Sequence, residues 1–134
     1  MSHQPEGCAY DVLVVDDDDA IRDTVTEVLR AEGYVVNSAG NGAEALAVID
    51  AQLPRLVLLD MRMPVLDGWG FVAGLSERGI RLKVLVLTAT QDAQRWANEI
   101  GADGFIAKPF DLDDLLDNVE RLCRATPPEG EQAS

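Results

Sequence analysis

A chain of 134 residues can enclose one hydrophobic core but not two, so no separate catalytic or DNA-binding domain is expected within it. Its 24 acids against 11 Lys and Arg give a formal charge of -13, a balance that repels nucleic-acid phosphates and anionic lipid surfaces alike. The opening residues hold no apolar secretion segment and no apolar run approaches membrane-spanning length, so the expected setting is the cytoplasm, with neither nucleic acid nor membrane as a direct partner.

Residues 1–10 mix Gly, Pro, Gln and Glu without periodicity and are expected to form a mobile leader. His3, the only histidine, and Cys8 lie there. Cys8 and Cys123 have neither CxxC spacing nor a histidine cluster, and both are read as free thiols without a role. The ordered domain is expected over residues 11–124. Val12-Leu13-Val14-Val15 reads as a buried strand ending in Asp16-Asp17-Asp18-Asp19, after which Ile21, Val25, Val28 and Leu29 recur at helical spacing. Asp18 or Asp19 should cap that helix and Gly33 end it. Tyr34-Val35-Val36 is a shorter strand, and Asn41-Gly42 leads into a helix that turns Ala45, Leu46 and Ile49 inward.

Leu56-Val57-Leu58-Leu59 is the strand most completely apolar, and it stops at Asp60. Pro64 and Asp67-Gly68 then send the chain through a loop into a helix carrying Trp69, Phe71, Val72 and Leu75, with Asp67 as its cap. Gly70 and Gly74 lower that helix's propensity by up to about 1 kcal/mol each relative to Ala, which marks it as a less stable helix. Val84-Leu85-Val86-Leu87 is a strand ending at Thr88. Ala93, Trp96, Ala97 and Ile100 form a helical stripe ending at Gly101. Phe105-Ile106-Ala107 is a short strand before Lys108-Pro109, and Leu112, Leu115, Leu116, Val119 and Leu122 mark the last helix. The polar tail over 125–134 is expected to be disordered. Five strands alternating with five helices, joined by right-handed crossovers, make an α/β fold with helices on both faces of one parallel sheet.

The polar residues that interrupt these strands share one location. Asp16, Asp17, Asp60, Thr88 and Lys108 all follow or close a strand, and in a parallel sheet such ends lie on one edge, where open α/β sheets place their ligands. Three carboxylates gathered there repel one another unless a cation compensates. All-oxygen ligands with room for water and a phosphate suit Mg²⁺ better than Ca²⁺. Carboxylate, metal, lysine and hydroxyl together are what phosphoryl transfer onto an aspartate requires, because that reaction is mostly positioning and charge neutralisation.

The segments VLVVDDDDAIR, LVLLDMRMPVLDG, VLVLTAT and GADGFIAKPF, in this order, resemble the receiver domain of bacterial two-component response regulators over about residues 11 to 124. The resemblance implies a flavodoxin-like, doubly wound five-stranded parallel sheet of order 2-1-3-4-5. It implies that Asp60 accepts a phosphoryl group from a sensor histidine kinase or phosphotransfer protein. It further implies Mg²⁺ held by Asp17, by Asp16 often through water, by Asp60 and by the backbone carbonyl of Arg62. Thr88 and Lys108 would contact phosphoryl oxygens, Thr88 and Phe105 would form the switch, and the Lys108-Pro109 peptide would be cis. No turnover of a diffusible substrate is expected, only self-phosphorylation and self-dephosphorylation.

Two other readings stand beside this one. A phosphorylation-independent adaptor typically lacks one of the acids or the lysine, and all are present here. A haloacid-dehalogenase-like phosphohydrolase needs a second acid two residues after its nucleophile, where this chain has Arg62. The output surface is expected on the helix of Trp96, the strand of Phe105 and the last helix, whose Asp111, Asp113, Asp114, Asp117 and Glu120 favour a protein target or output domain. The segment KPFDLDDLL resembles receivers that precede winged-helix DNA-binding domains, but Asn118 and Glu120 stand where basic residues are common. A monomer or a weak phosphorylation-dependent dimer is therefore expected. Sequence leaves open whether Trp96 belongs to the core edge or anchors a partner, and Asp18 and Asp19 are read as solvent-facing.

Overall fold

The computed structural model describes residues 10–89 and 91–124. His3, Cys8, the rest of the leader through residue 9 and the tail from residue 125 lie outside the described residues. The elements are β1 (Asp11–Val15), α1 (Asp19–Ala31), β2 (Val35–Ala39), α2 (Gly42–Ala51), β3 (Leu56–Leu59), α3 (Gly68–Glu77), β4 (Lys83–Thr88), α4 (Ala93–Ile100), β5 (Gly104–Ala107) and α5 (Leu112–Arg124). The strands form one parallel sheet in the order β2-β1-β3-β4-β5, the flavodoxin-like topology expected.

Why the central strands are apolar at every position follows from the period of two. Val12, Val14, Leu56, Leu58, Leu85 and Leu87 enter one layer with Val25 and Leu29 of α1 and Leu115, Val119 and Leu122 of α5. Their neighbours Leu13, Val15, Val57, Leu59, Val84 and Val86 enter the opposite layer with α2, α3 and α4. A strand covered on both faces has no solvent side for a polar residue, and each side chain so buried contributes about 1.5–3 kcal/mol. β2, on the sheet edge, differs. It runs three residues past the Tyr34–Val36 read from sequence, because Asn37 and Ser38 are exposed there and hide the strand's signal.

Helix ends follow local chemistry. The carboxylates of Asp18 and Asp67 and the amide oxygen of Asn41 accept from the backbone N–H of Ile21, Gly70 and Glu44, capping α1, α3 and α2. The two glycines of α3 have a packing reason that propensity conceals. A Cβ on Gly74 would lie 2.6 Å from Leu46 Cδ1 of α2, and one on Gly70 would lie 2.4 Å from Leu66 Cδ1. Trp96 is buried and meets Trp69 edge-on at 5.0 Å between ring centroids, which places it in the core edge. Tyr10 packs against the first layer, under the Arg55 guanidinium at 5.2 Å. Cys123 is free and buried, and burial pushes its thiol up to about 12. Among the described residues no helix is long and apolar enough to cross a membrane.

Candidate functional site

Register determines which polar residues meet. Val15 pairs with Leu59, so the next residues, Asp16 and Asp60, leave their strands side by side. The ladder continues one step beyond the strands: the Asp60 amide donates to Val15 O at 2.9 Å and the Asp16 amide to Ala39 O at 3.1 Å. Thr88 closes β4 opposite Ala107, and the following Lys108 amide donates to Thr88 O at 2.8 Å. By strand alternation Asp16, Asp60 and Lys108 continue Val14, Leu58 and Ile106, all of the α1–α5 layer, and so converge above it. Thr88 continues Val86 of the other layer and reaches the same edge from there, buried.

Carboxylate oxygens of Asp16, Asp17 and Asp60 lie within 4.8 Å of one another, Asp16 and Asp60 buried and Asp17 exposed. Lys108 Nζ donates to Asp16 Oδ2 at 2.6 Å and stands 3.6 Å from Asp60 Oδ2. Asp16 is engaged at every polar atom. Its Oδ1 accepts from the Asp18 amide at 2.9 Å, and its carbonyl accepts from Arg22 Nη1 at 2.8 Å. Asp60 Oδ1 accepts from the Arg62 amide at 3.2 Å. Burial pushes the Asp60 carboxyl up to about 6, against the pull of Lys108 and with the help of the Asp16 charge. One ammonium among three carboxylates leaves the site short of positive charge.

These donors suit a hard divalent cation. All are oxygens, and an octahedral Mg²⁺ shell spans about 4 Å between opposite ligands, close to the separation of the trio. Burial is the main cause of the raised Asp60 carboxyl, and the Asp16 and Asp17 charges that add to it are ones a cation would offset.

Other residues singled out by sequence take distinct places. The Lys108-Pro109 peptide is cis. Phe105 lies on β5 outside the carboxylate group and is 42% exposed. The Arg62 guanidinium lies over the Trp96 ring at 5.8 Å, and Trp69 Nε1 donates to Glu99 Oε1 at 3.1 Å, so the loop after β3 and the start of α3 both hold α4. In α5 the acids are joined by Arg121, bonded to Asn118, and Arg124, paired with Glu120, each within its own helix. Sequence reasoning passed over Arg22, although it is the sole cation among seven acids between Asp11 and Glu27.

Comparison with known proteins agrees with this fold. The "Response regulator receiver domain" family matches residues 12–120. Response regulator MprA of Mycobacterium avium is 41% identical over 125 residues, 92% of this chain and 55% of that protein; the chain thus spans about half the length of the curated relatives it matches. The receiver domain of NtrX from Brucella abortus superposes with a TM-score of 0.79 at 34% identity, over 86% of this chain and 99% of that one. Chemotaxis protein CheY4 of Vibrio cholerae gives 0.77 at 32% identity, with 86% and 99% covered.

Proposed function

The chain belongs to the response regulator receiver domain family, and on that premise we propose that Asp60 is its phosphoacceptor, in a domain over residues 11–124 set in the cytoplasm. The observation that carries this reading is the convergence of Asp16, Asp17 and Asp60 within 4.8 Å under one lysine. Mg²⁺ would be held by Asp17, Asp60 and the Arg62 carbonyl. Asp16 would act through water, since both its oxygens already accept hydrogen bonds. When bound, the cation neutralises charge on the carboxylates and on the entering phosphoryl oxygens.

Asp60 is the nucleophile. A carboxylate oxygen attacks the phosphorus of a kinase phosphohistidine in line, the new O–P bond forms as the N–P bond breaks, and the electron pair stays on the imidazole. Burial keeps bulk water from the acceptor, and the Arg62 amide fixes the rotation of its carboxylate. Lys108 Nζ, 3.6 Å from Asp60 Oδ2, needs only a small movement away from Asp16 to pair with a phosphoryl oxygen. Thr88 then moves toward another oxygen and vacates space for the exposed Phe105 ring, a population shift that reshapes the α4-β5-α5 face for a downstream protein or output domain. The acids of α5 turn nucleic acid away from this face and oppose tight self-pairing. A phosphohydrolase reading finds no support, because the position two residues after Asp60 is Arg62, turned onto Trp96.

Intact-mass spectrometry after incubation with acetyl phosphate and Mg²⁺ tests the assignment. One phosphoryl group should be gained by the wild type and none by Asp60→Asn; equal labelling of both refutes it.

A further inference from the structure

We propose that Arg22 is a positioning residue for the cation site, orienting Asp17 through the backbone. The inference rests on the reading of the carboxylate trio as a Mg²⁺ site. Arg22 stands in the first turns of α1 and folds back over the β1–α1 turn. Its Nη1 donates to the Asp16 carbonyl at 2.8 Å, and its Nη2 pairs with the Asp19 carboxylate at 2.5 Å. The side chain is only 20% exposed, whereas Asp19 is 82% exposed. The same Nη1 borders Gly40, where a Cβ would stand 3.4 Å from it, so the guanidinium lies between the β1–α1 turn and the loop after β2.

The carbonyl that Arg22 holds belongs to the peptide joining Asp16 to Asp17. A peptide group is planar, so holding its oxygen also holds the Asp17 nitrogen and the Asp17 Cα, which lie in the same plane, and with them the point from which the Asp17 side chain departs. Asp16 needs no such help, being held by the Asp18 amide and Lys108. Asp17 is the exposed member of the trio, and here it is aimed without spending a carboxylate lone pair on Arg22. A bare guanidinium would also repel the cation it prepares for; Asp19 offsets that charge. The four consecutive aspartates thus divide their work: Asp16 anchors, Asp17 faces the cation, Asp18 caps α1 and Asp19 neutralises Arg22.

The sign of one measurement separates positioning from simple charge. Removing a positive charge beside a cation site should tighten Mg²⁺ binding if charge alone matters. Loss of positioning should weaken it, by about tenfold for Arg22→Met, the scale on which supporting residues act on metal affinity. Arg22→Lys keeps the charge but not the planar fork, and is expected to weaken binding about threefold. The Asp17 amide resonance, on the far side of the held peptide, should shift in both variants before any metal is added, and urea unfolding verifies that each is folded. Should the Met variant not fold, the Lys variant decides. Unchanged or tighter Mg²⁺ binding in folded Arg22→Lys, or an unmoved Asp17 amide, overturns the proposal. Absence of Mg²⁺ binding by the wild type overturns the metal reading itself and the positioning role with it.

Discussion

The carboxyl edge of the sheet and the seam between α2 and α3 are built on opposite terms. At the seam, Leu46 lies where a methyl on Gly74 would have to go, so favourable contacts fill the space completely. At the edge, three carboxylates crowd within 4.8 Å around a single ammonium, and Asp60 is buried where its charge is unwelcome. Packing at the seam has been carried as far as it goes, whereas the edge works against folding and is held in place by the strands beneath it. Such local conflict belongs at a site whose occupant resolves it.

Changes of opposite sign sharpen this contrast. Neutralising the edge should help the metal-free fold: Asp60→Asn is expected to gain about 2 kcal/mol at pH 8 in urea unfolding. The sign follows from the raised carboxyl. Folding favours the protonated form, so stability is fully present below the unfolded value near 4 and is lost as pH rises through about 6. The variant's advantage should therefore vanish below pH 4, and an advantage independent of pH would end the contrast. Filling the seam should do harm. Gly74→Ala is expected to lose about 1–2 kcal/mol, even though Ala raises helix propensity by nearly 1 kcal/mol. A gain in thermal stability would show that Leu46 moves aside freely. The smallest effect is expected at Val65, a β-branched, 83% exposed residue at φ 69° in the loop between the two regions. Val65→Gly should gain about 0.5–1 kcal/mol by relieving backbone strain, read as a small rise in Tm.

What sequence made legible follows the same division. The apolar strands and the acids that end them stand out because burial on both faces tolerates no polar residue until the sheet edge, and there Asp16, Asp60 and Lys108 interrupt abruptly. β2 was legible only in part, since an edge strand accepts Asn37 and Ser38. Gly70 and Gly74 were legible only as weak helix formers: propensity describes a helix alone, and the packing that excludes a side chain there comes from Leu66 and Leu46 on other segments. Arg22 was not legible at all, because an arginine on a helix next to acids reads as a solvated charge unless the backbone it folds back upon is known. Trp96 was undecidable for the same reason, its partners Trp69 and Arg62 being distant in sequence.

The paired indoles have an optical consequence. The chain has two tryptophans, and both stand in one edge-on pair, with Arg62 over one ring and Glu99 bonded to the other. Fluorescence excited at the red edge of protein absorption, where tyrosine is dark, therefore originates from the contact between α3 and α4 and from nowhere else. The guanidinium above Trp96 is attached two residues after Asp60, so an event at the acceptor that shifts Arg62 alters the field at the emitting ring. Nature has left the domain with a built-in lamp at the joint between its phosphoacceptor loop and α4, readable without any label.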